Sequence, residues 1–125
     1  MEHVGFDPGA IHASVHTRAD NHVDRTQRTA RTAIANAQDE FHVYAIEWTP
    51  DGIRALADGQ ACFTFANERA SNAQADWRQW PFDRDFRILV NLAVGGNWGG
   101  QKGVDESIWP QRLELDYVRV LQRTR

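Results

Sequence analysis

A glutamate and two histidines stand near the start of the chain in a pattern that bears on chemistry. The opening stretch, MEHVGFDPGAIHASVHT, puts Glu2 ahead of an alternating run, AIHASVH, over residues 10–16. Successive side chains of an extended strand point to opposite faces, so Ile11, Ala13 and Val15 share one face and His12, Ser14 and His16 the other. Histidines on such a face serve acid–base chemistry or, more commonly, structural hydrogen bonding. Glu2 by itself says little, because a glutamate at a chain start is ordinarily solvated.

A second candidate is the loop GGNWGG at 95–100, in which four glycines flank Trp98 and leave little side chain to bury it. An indole displayed this way suits stacking on the apolar face of a sugar ring, with its N–H as a donor, or it anchors the loop. The loop resembles no phosphate cradle, since no Lys-Ser pair follows and no helix opens after it. Trp48 lies mid-strand among aliphatic residues and reads as core; Trp77, Trp80 and Trp109 border loops and remain undecided. The single cysteine, Cys62, excludes an internal disulfide and reads as a small buried residue. No spacing of histidine and cysteine suits zinc, and no serine–histidine–acid triad can be assembled.

The elements that must position these residues are strands. Runs of period two recur: AIHASVH, the weaker TARTAIA suited to an edge, FHVYAIEW at 41–48, IRALA and ACFTFA. Between the last three stand TPDG at 49–52 and Asp58-Gly59, both turn-forming, which predicts an antiparallel meander. Residues 67–80 read as a loop with one helical turn. FRILVNLAV at 86–94 reads as a central strand buried on both faces, and RLELDYVRVLQ at 112–122 as a last strand running into RTR. The class is all-β, a sandwich of antiparallel sheets.

With 125 residues the chain suffices for one domain, and its net charge of −3 gives no electrostatic reason to expect nucleic acid or an anionic membrane as partner. No apolar run approaches the ~20 residues needed to span a bilayer. The first residues lack the basic and apolar regions of a signal peptide.

Together these segments resemble glycoside hydrolase family 16, specifically its laminarinase-like branch of endo-β-1,3-glucanases. The resemblance rests on MEHVGFDPGAIHASVHT, FHVYAIEWTPDGI, DGQ, WPFD, ILVNLAVGGNWGG and LELDYVRVLQ, which fall in the family's order along nearly the whole chain. It implies a concanavalin-like β-jelly roll, with residues 1–125 forming the C-terminal part of a single catalytic domain whose N-terminal strands are missing. Family members are considerably longer. The branch signature is Glu-x-Asp-x-x-Glu, commonly GEIDIME, and its end coincides with Met1-Glu2. On that alignment Glu2 is the general acid/base, while the nucleophilic glutamate and the assisting aspartate fall before Met1.

Retaining glycosidases need two carboxyl groups about 5–5.5 Å apart, one to protonate the leaving oxygen and one to attack the anomeric carbon. With Glu2 alone, the resemblance implies β-1,3-glucan hydrolysis by the full-length enzyme and none by this chain. A non-catalytic β-glucan-binding jelly roll is the alternative. His12, His16, Asn91 and Trp98 would line sugar subsites. Asp116, in ELDYV, resembles an aspartate of a structural calcium site whose other ligands lie outside this sequence, so calcium should bind poorly; the chemistry itself requires no cofactor. The polysaccharide is the expected partner, with no nucleic acid and no membrane. Self-association through exposed strand edges is a further expectation, and the full-length protein is expected to be secreted or periplasmic. Ala55 and Ala57, where aromatics or valine are usual, and Leu121, where tyrosine is frequent, point to looser packing.

Overall fold

Six short strands and two 3-10 turns make up the regular structure of the computed structural model, which describes residues 1–123; Thr124 and Arg125, the end of the RTR tail, lie outside the described residues. The chain divides into two compact units, Met1–Arg87 and Ile88–Arg125. Among the described residues there is no α-helix, and no helix is long and apolar enough to cross a membrane.

The first unit holds two antiparallel sheets. One is ordered β1 (Glu2–His3), β2 (Ala10–Val15), β3 (Arg28–Ala33); the other is β4 (Tyr44–Thr49), β5 (Gly52–Ala57), β6 (Gln60–Ala66). β2 shows the expected alternation, with Ile11, Ala13 and Val15 buried and His12 and Ser14 half-buried. β3, rich in arginine and threonine, is an edge strand with half its positions exposed or more, as its composition suggests. The meander β4–β5–β6 forms as its turn chemistry predicts. Thr49 pairs with Gly52 across Pro50-Asp51, and Asp58 and Gly59 take φ of 48° and 79°, the left-handed pair of a type I′ turn. Gly52 is required by proximity: a Cβ there would stand 2.9 Å from the Phe65 carbonyl oxygen.

The core of this unit joins the sheets. Val15 from β2, Phe65 from β6 and Trp80 from the following loop are buried, with Ile53, Phe63 and Phe82 packed around them. Trp80 is 2% exposed and stacks on Phe65 at 5.8 Å with 8° between planes, while Phe82 meets both rings edge-on. The 67–80 loop carries the one short turn anticipated, Glu68–Ala70, capped by Asn67, whose side chain accepts the Arg69 N–H at 3.1 Å.

Four expectations are corrected here. Trp48 is not core: it is 47% exposed, donating its indole N–H to the Phe82 carbonyl at 3.0 Å and meeting Phe86 edge-on. Cys62 is half-buried rather than buried, its thiol donating to the Ala55 carbonyl at 3.3 Å. Neither 86–94 nor 112–122 is a strand; neither enters a sheet, and Leu89 and Leu121 are more than four-fifths exposed. The physical reason is shared by both segments. An apolar run, as at 86–94, or an alternating one, as at 112–122, is compatible with a sheet, but a strand exists only where a neighbour supplies the ladder's donors and acceptors, and among the described residues neither segment has one.

The second unit, taken by itself, is built from turns. Gly95 and Gly96 take φ of 70° and 81°, and the Gly100 N–H bonds the Gly96 carbonyl at 3.0 Å, so close that a Cβ at Gly100 would stand 2.8 Å from that oxygen. A 3-10 turn at Glu106–Ile108 is capped by Asp105, which accepts from the Ser107 N–H at 2.9 Å and its hydroxyl at 2.6 Å; this bonding lowers the Asp105 pKa.

Candidate active site

Glu2 is placed by a ladder rather than left on a loose end. β1 pairs with β2 so that Glu2 stands opposite His12, and β2 pairs with β3 so that His12 stands opposite Arg31. Opposed residues of antiparallel strands share a face. One row across three strands therefore presents a carboxylate, an imidazole and a guanidinium on the polar side of β2. Glu2 is exposed, and its carboxylate bonds no other described side chain.

A fourth group closes over this row. The turn between β1 and β2 is tightened by the Asp7 N–H on the Val4 carbonyl (3.0 Å) and the Ala10 N–H on the Asp7 carbonyl (3.2 Å), which folds Asp7 back along the sheet. Its Oδ2 accepts Arg31 Nε–H at 2.6 Å and His12 Nε2–H at 3.0 Å, and its Oδ1 accepts Arg31 Nη2–H at 2.7 Å. The forked Arg31 bond, assisted by His12, holds the Asp7 carboxyl down to about 2, so it is ionised at neutral pH and acts only as an acceptor. The same bond raises the Arg31 pKa.

The next row is neutral: the Ser14 and Thr29 hydroxyls share a hydrogen bond of 2.8 Å. His16 lies on the same face just past the end of β2, exposed, with its ring edge-on to His22 at 5.5 Å. Four steps along the chain separate it from His12, about 13 Å, so the two imidazoles share no proton directly. Asn91, Trp98 and Asp116 belong to the second unit. Asn91 is exposed on an irregular segment; Trp98 is 40% exposed on its glycine turns. Asp116 is exposed, and among the described residues no group of three His, Cys, Asp or Glu side chains forms to hold a metal. Calcium takes six to eight oxygens, so the side chains present do not fit it.

The structure thus brings Glu2 and His12 together and sets His16 farther along the same face. The sequence reading missed Asp7 and Arg31, which lie 24 residues apart and meet only through strand register. The one local signal was the Asp-Pro-Gly turn ahead of an alternating strand, which returns its aspartate to that strand's face.

Residues 1–119 match the profile of glycosyl hydrolases family 16. The chain belongs to this family. Its fold is accordingly the all-β jelly roll of the family-16 laminarinases. It is 52% identical over 120 residues to a β-glucanase of Rhodothermus marinus, matching 96% of this chain and 42% of that protein. Against the crystal structure of the laminarinase from Rhodothermus marinus the TM-score is 0.84 at 52% identity, over 86% of this chain and 43% of the other. A β-1,3-glucan-binding protein of Manduca sexta is 36% identical over 72 residues, 46% of this chain and 15% of that protein. The chain therefore spans less than half the length of these family-16 relatives.

Proposed function

We propose that this chain carries the acid/base half of a β-1,3-glucan hydrolase site, with Glu2 as the group that protonates the departing glycosidic oxygen and then activates water. The observation that carries this reading is the row on the polar face: in a family-16 chain, the ladder fixes Glu2 opposite His12 on a surface lined by hydrogen-bonding groups. The family match over residues 1–119 crosses both units, which supports reading them as parts of one catalytic domain. In that domain Asn91 and Trp98 would contact sugar, Trp98 by stacking.

Double displacement with retention needs a second carboxylate about 5–5.5 Å from the first. On the family signature these 125 residues supply one such carboxylate, Glu2, so the reading expects no glucan hydrolysis from them alone. A reducing-end assay on laminarin tests this. The chain as given should release none. An extended protein carrying Glu-x-Asp-x directly before Met1 should release reducing ends, and Glu2→Gln should cut its rate by about 10²–10⁴-fold, the usual weight of general acid–base catalysis. Hydrolysis by the 125-residue chain, or an extended Glu2→Gln protein at full rate, refutes the reading. A non-catalytic glucan-binding role is favoured by the likeness to the Manduca sexta binding protein; it predicts binding to insoluble β-1,3-glucan by an extended protein that never cleaves it.

A further inference from the structure

We infer that Asp7 and Arg31 are positioning residues for His12: Arg31 pins the Asp7 carboxylate, which takes the His12 Nε2 proton and so fixes the imidazole's tautomer and orientation beside Glu2 for contact with a glucan hydroxyl. The sugar contact rests on the reading above; the clamp on the imidazole does not.

Three donors enter one carboxylate from two strands. Both oxygens of Asp7 are occupied by the Arg31 fork, at 2.6 and 2.7 Å, and Oδ2 additionally takes His12 at 3.0 Å. A forked guanidinium fixes the plane of the carboxylate, which a lysine ammonium does not. With the plane fixed, the lone pair that meets His12 is fixed too. An ionised carboxylate has no proton to give, so His12 Nε2 is the protonated nitrogen. In the neutral ring Nδ1 is then the acceptor.

The clamp is also sheltered. The side chains of His12 and Asp7 are only 16% and 21% exposed, against 53% for Arg31. Were the trio only a surface tie between β3 and the β1–β2 turn, the Arg31 fork alone would serve. The shared oxygen recruits the one imidazole that stands opposite Glu2. The same logic operates where a carboxylate orients a catalytic or ligating histidine through the ring nitrogen that does not do the chemistry.

The test uses the 125-residue chain, labelled with ¹⁵N, and reads the His12 ring at about pH 8, where an ordinary imidazole is neutral. The wild type should show Nε2 protonated, with its proton protected from solvent exchange. Asp7→Ala should lose that protection while the backbone amide spectrum stays folded. Arg31→Lys keeps the charge without the fork and should lose it in part; it also serves if Asp7→Ala fails to fold. Adding a soluble β-1,3-gluco-oligosaccharide should move the wild-type Nδ1 resonance and leave Nε2 in place. Asp7→Ala and His12→Ala should each bind it about three- to tenfold more weakly, the weight of one hydrogen bond. An Nε2 proton equally protected in folded Asp7→Ala and Arg31→Lys overturns the clamp. A protected Nε2 proton in a wild type that binds no oligosaccharide keeps the clamp but overturns its sugar role, whereas the glucan reading itself falls only if the extended protein neither releases reducing ends from laminarin nor binds β-1,3-glucan. Oligosaccharide binding undiminished by Asp7→Ala overturns positioning alone.

Discussion

Trp80 is where the first unit should be most sensitive. The side chain is 2% exposed, stacks flat on Phe65 at 5.8 Å and takes Phe82 edge-on at 5.2 Å. Truncating a buried tryptophan to alanine costs about 3–5 kcal/mol, and the aromatic contacts account for about 0.5–1.5 kcal/mol each beyond area. A domain the size of Met1–Arg87 has about 4–13 kcal/mol to lose. Trp80→Ala should therefore remove between about a quarter and the whole of its stability. Urea unfolding followed by far-UV circular dichroism reads this without relying on the tryptophan removed. With a slope of about 1 kcal/mol per molar for a small unit, the midpoint should fall by about 3 M or the variant should be unfolded in buffer. Trp80→Phe, which keeps the stack on Phe65, should lose less than half as much. Trp77 is 52% exposed, so Trp77→Ala should stay within about 0.5 kcal/mol of the parent. A loss under about 1 kcal/mol for Trp80→Ala, or an equal loss for Trp77→Ala, would show that this ring cluster does not hold the sheets together.

Two further outcomes are expected. Asp58 clasps the start of the meander, accepting from His42 Nδ1–H at 2.7 Å and the Val43 N–H at 2.8 Å. That bond raises the His42 pKa and lowers the Asp58 pKa. The His42 contribution is complete below an ordinary imidazole pKa of about 6.5 and is lost as pH rises through the raised value; the Asp58 contribution is complete above about 3.9 and is lost as pH falls through the lowered one. The clasp is thus strongest from about pH 4 to 6.5, and an NMR titration should put the His42 midpoint above the ordinary value in the parent and lower in Asp58→Asn; equal midpoints contradict it. Leu89, Val120 and Leu121 are 81%, 76% and 84% exposed, so sedimentation velocity should show mass rising with concentration and Leu89→Lys with Val120→Lys reversing it; a parent that stays monomeric contradicts this.

What could be read in advance divides along a physical line. β2 and the meander β4–β5–β6 follow from period-two runs bounded by Asp-Gly and Pro-Asp turns, because their ladder partners are adjacent in the chain. The runs at 86–94 and 112–122 carry the same local signal and form no strand, since pairing depends on residues a local pattern does not specify. Trp48 stands among aliphatic residues and Trp80 beside a polar loop, yet it is Trp80 that is buried with Val15 and Phe65. In the candidate site, Glu2 and His12 were named from the family resemblance and Trp98 from its glycines; the ladder sets Glu2 and His12 opposite one another. Asp7 and Arg31 were not, because a bond across 24 residues is a product of register.

That register also bears on how the site's parts depend on one another. Glu2, Asp7, His12 and Arg31 are set by one turn and two ladders confined to the first 33 residues. The longest of these contacts closes a loop of 24 residues at modest entropic cost, and Val15 at the end of β2 ties the row to Phe65 and Trp80. Trp98 stands on turns that use left-handed glycines, in a unit whose described residues form no ladder. Damage to the second unit should therefore weaken any stacking contact while leaving the Asp7–His12–Arg31 geometry intact. Breaking the Ala10–Val15 strand should dissolve the row of Glu2, His12 and Arg31 at once. On the proposed reading, the proton donor is thus held within the first unit by its ladders and ring cluster, and the sugar contact within the second by its glycine turns.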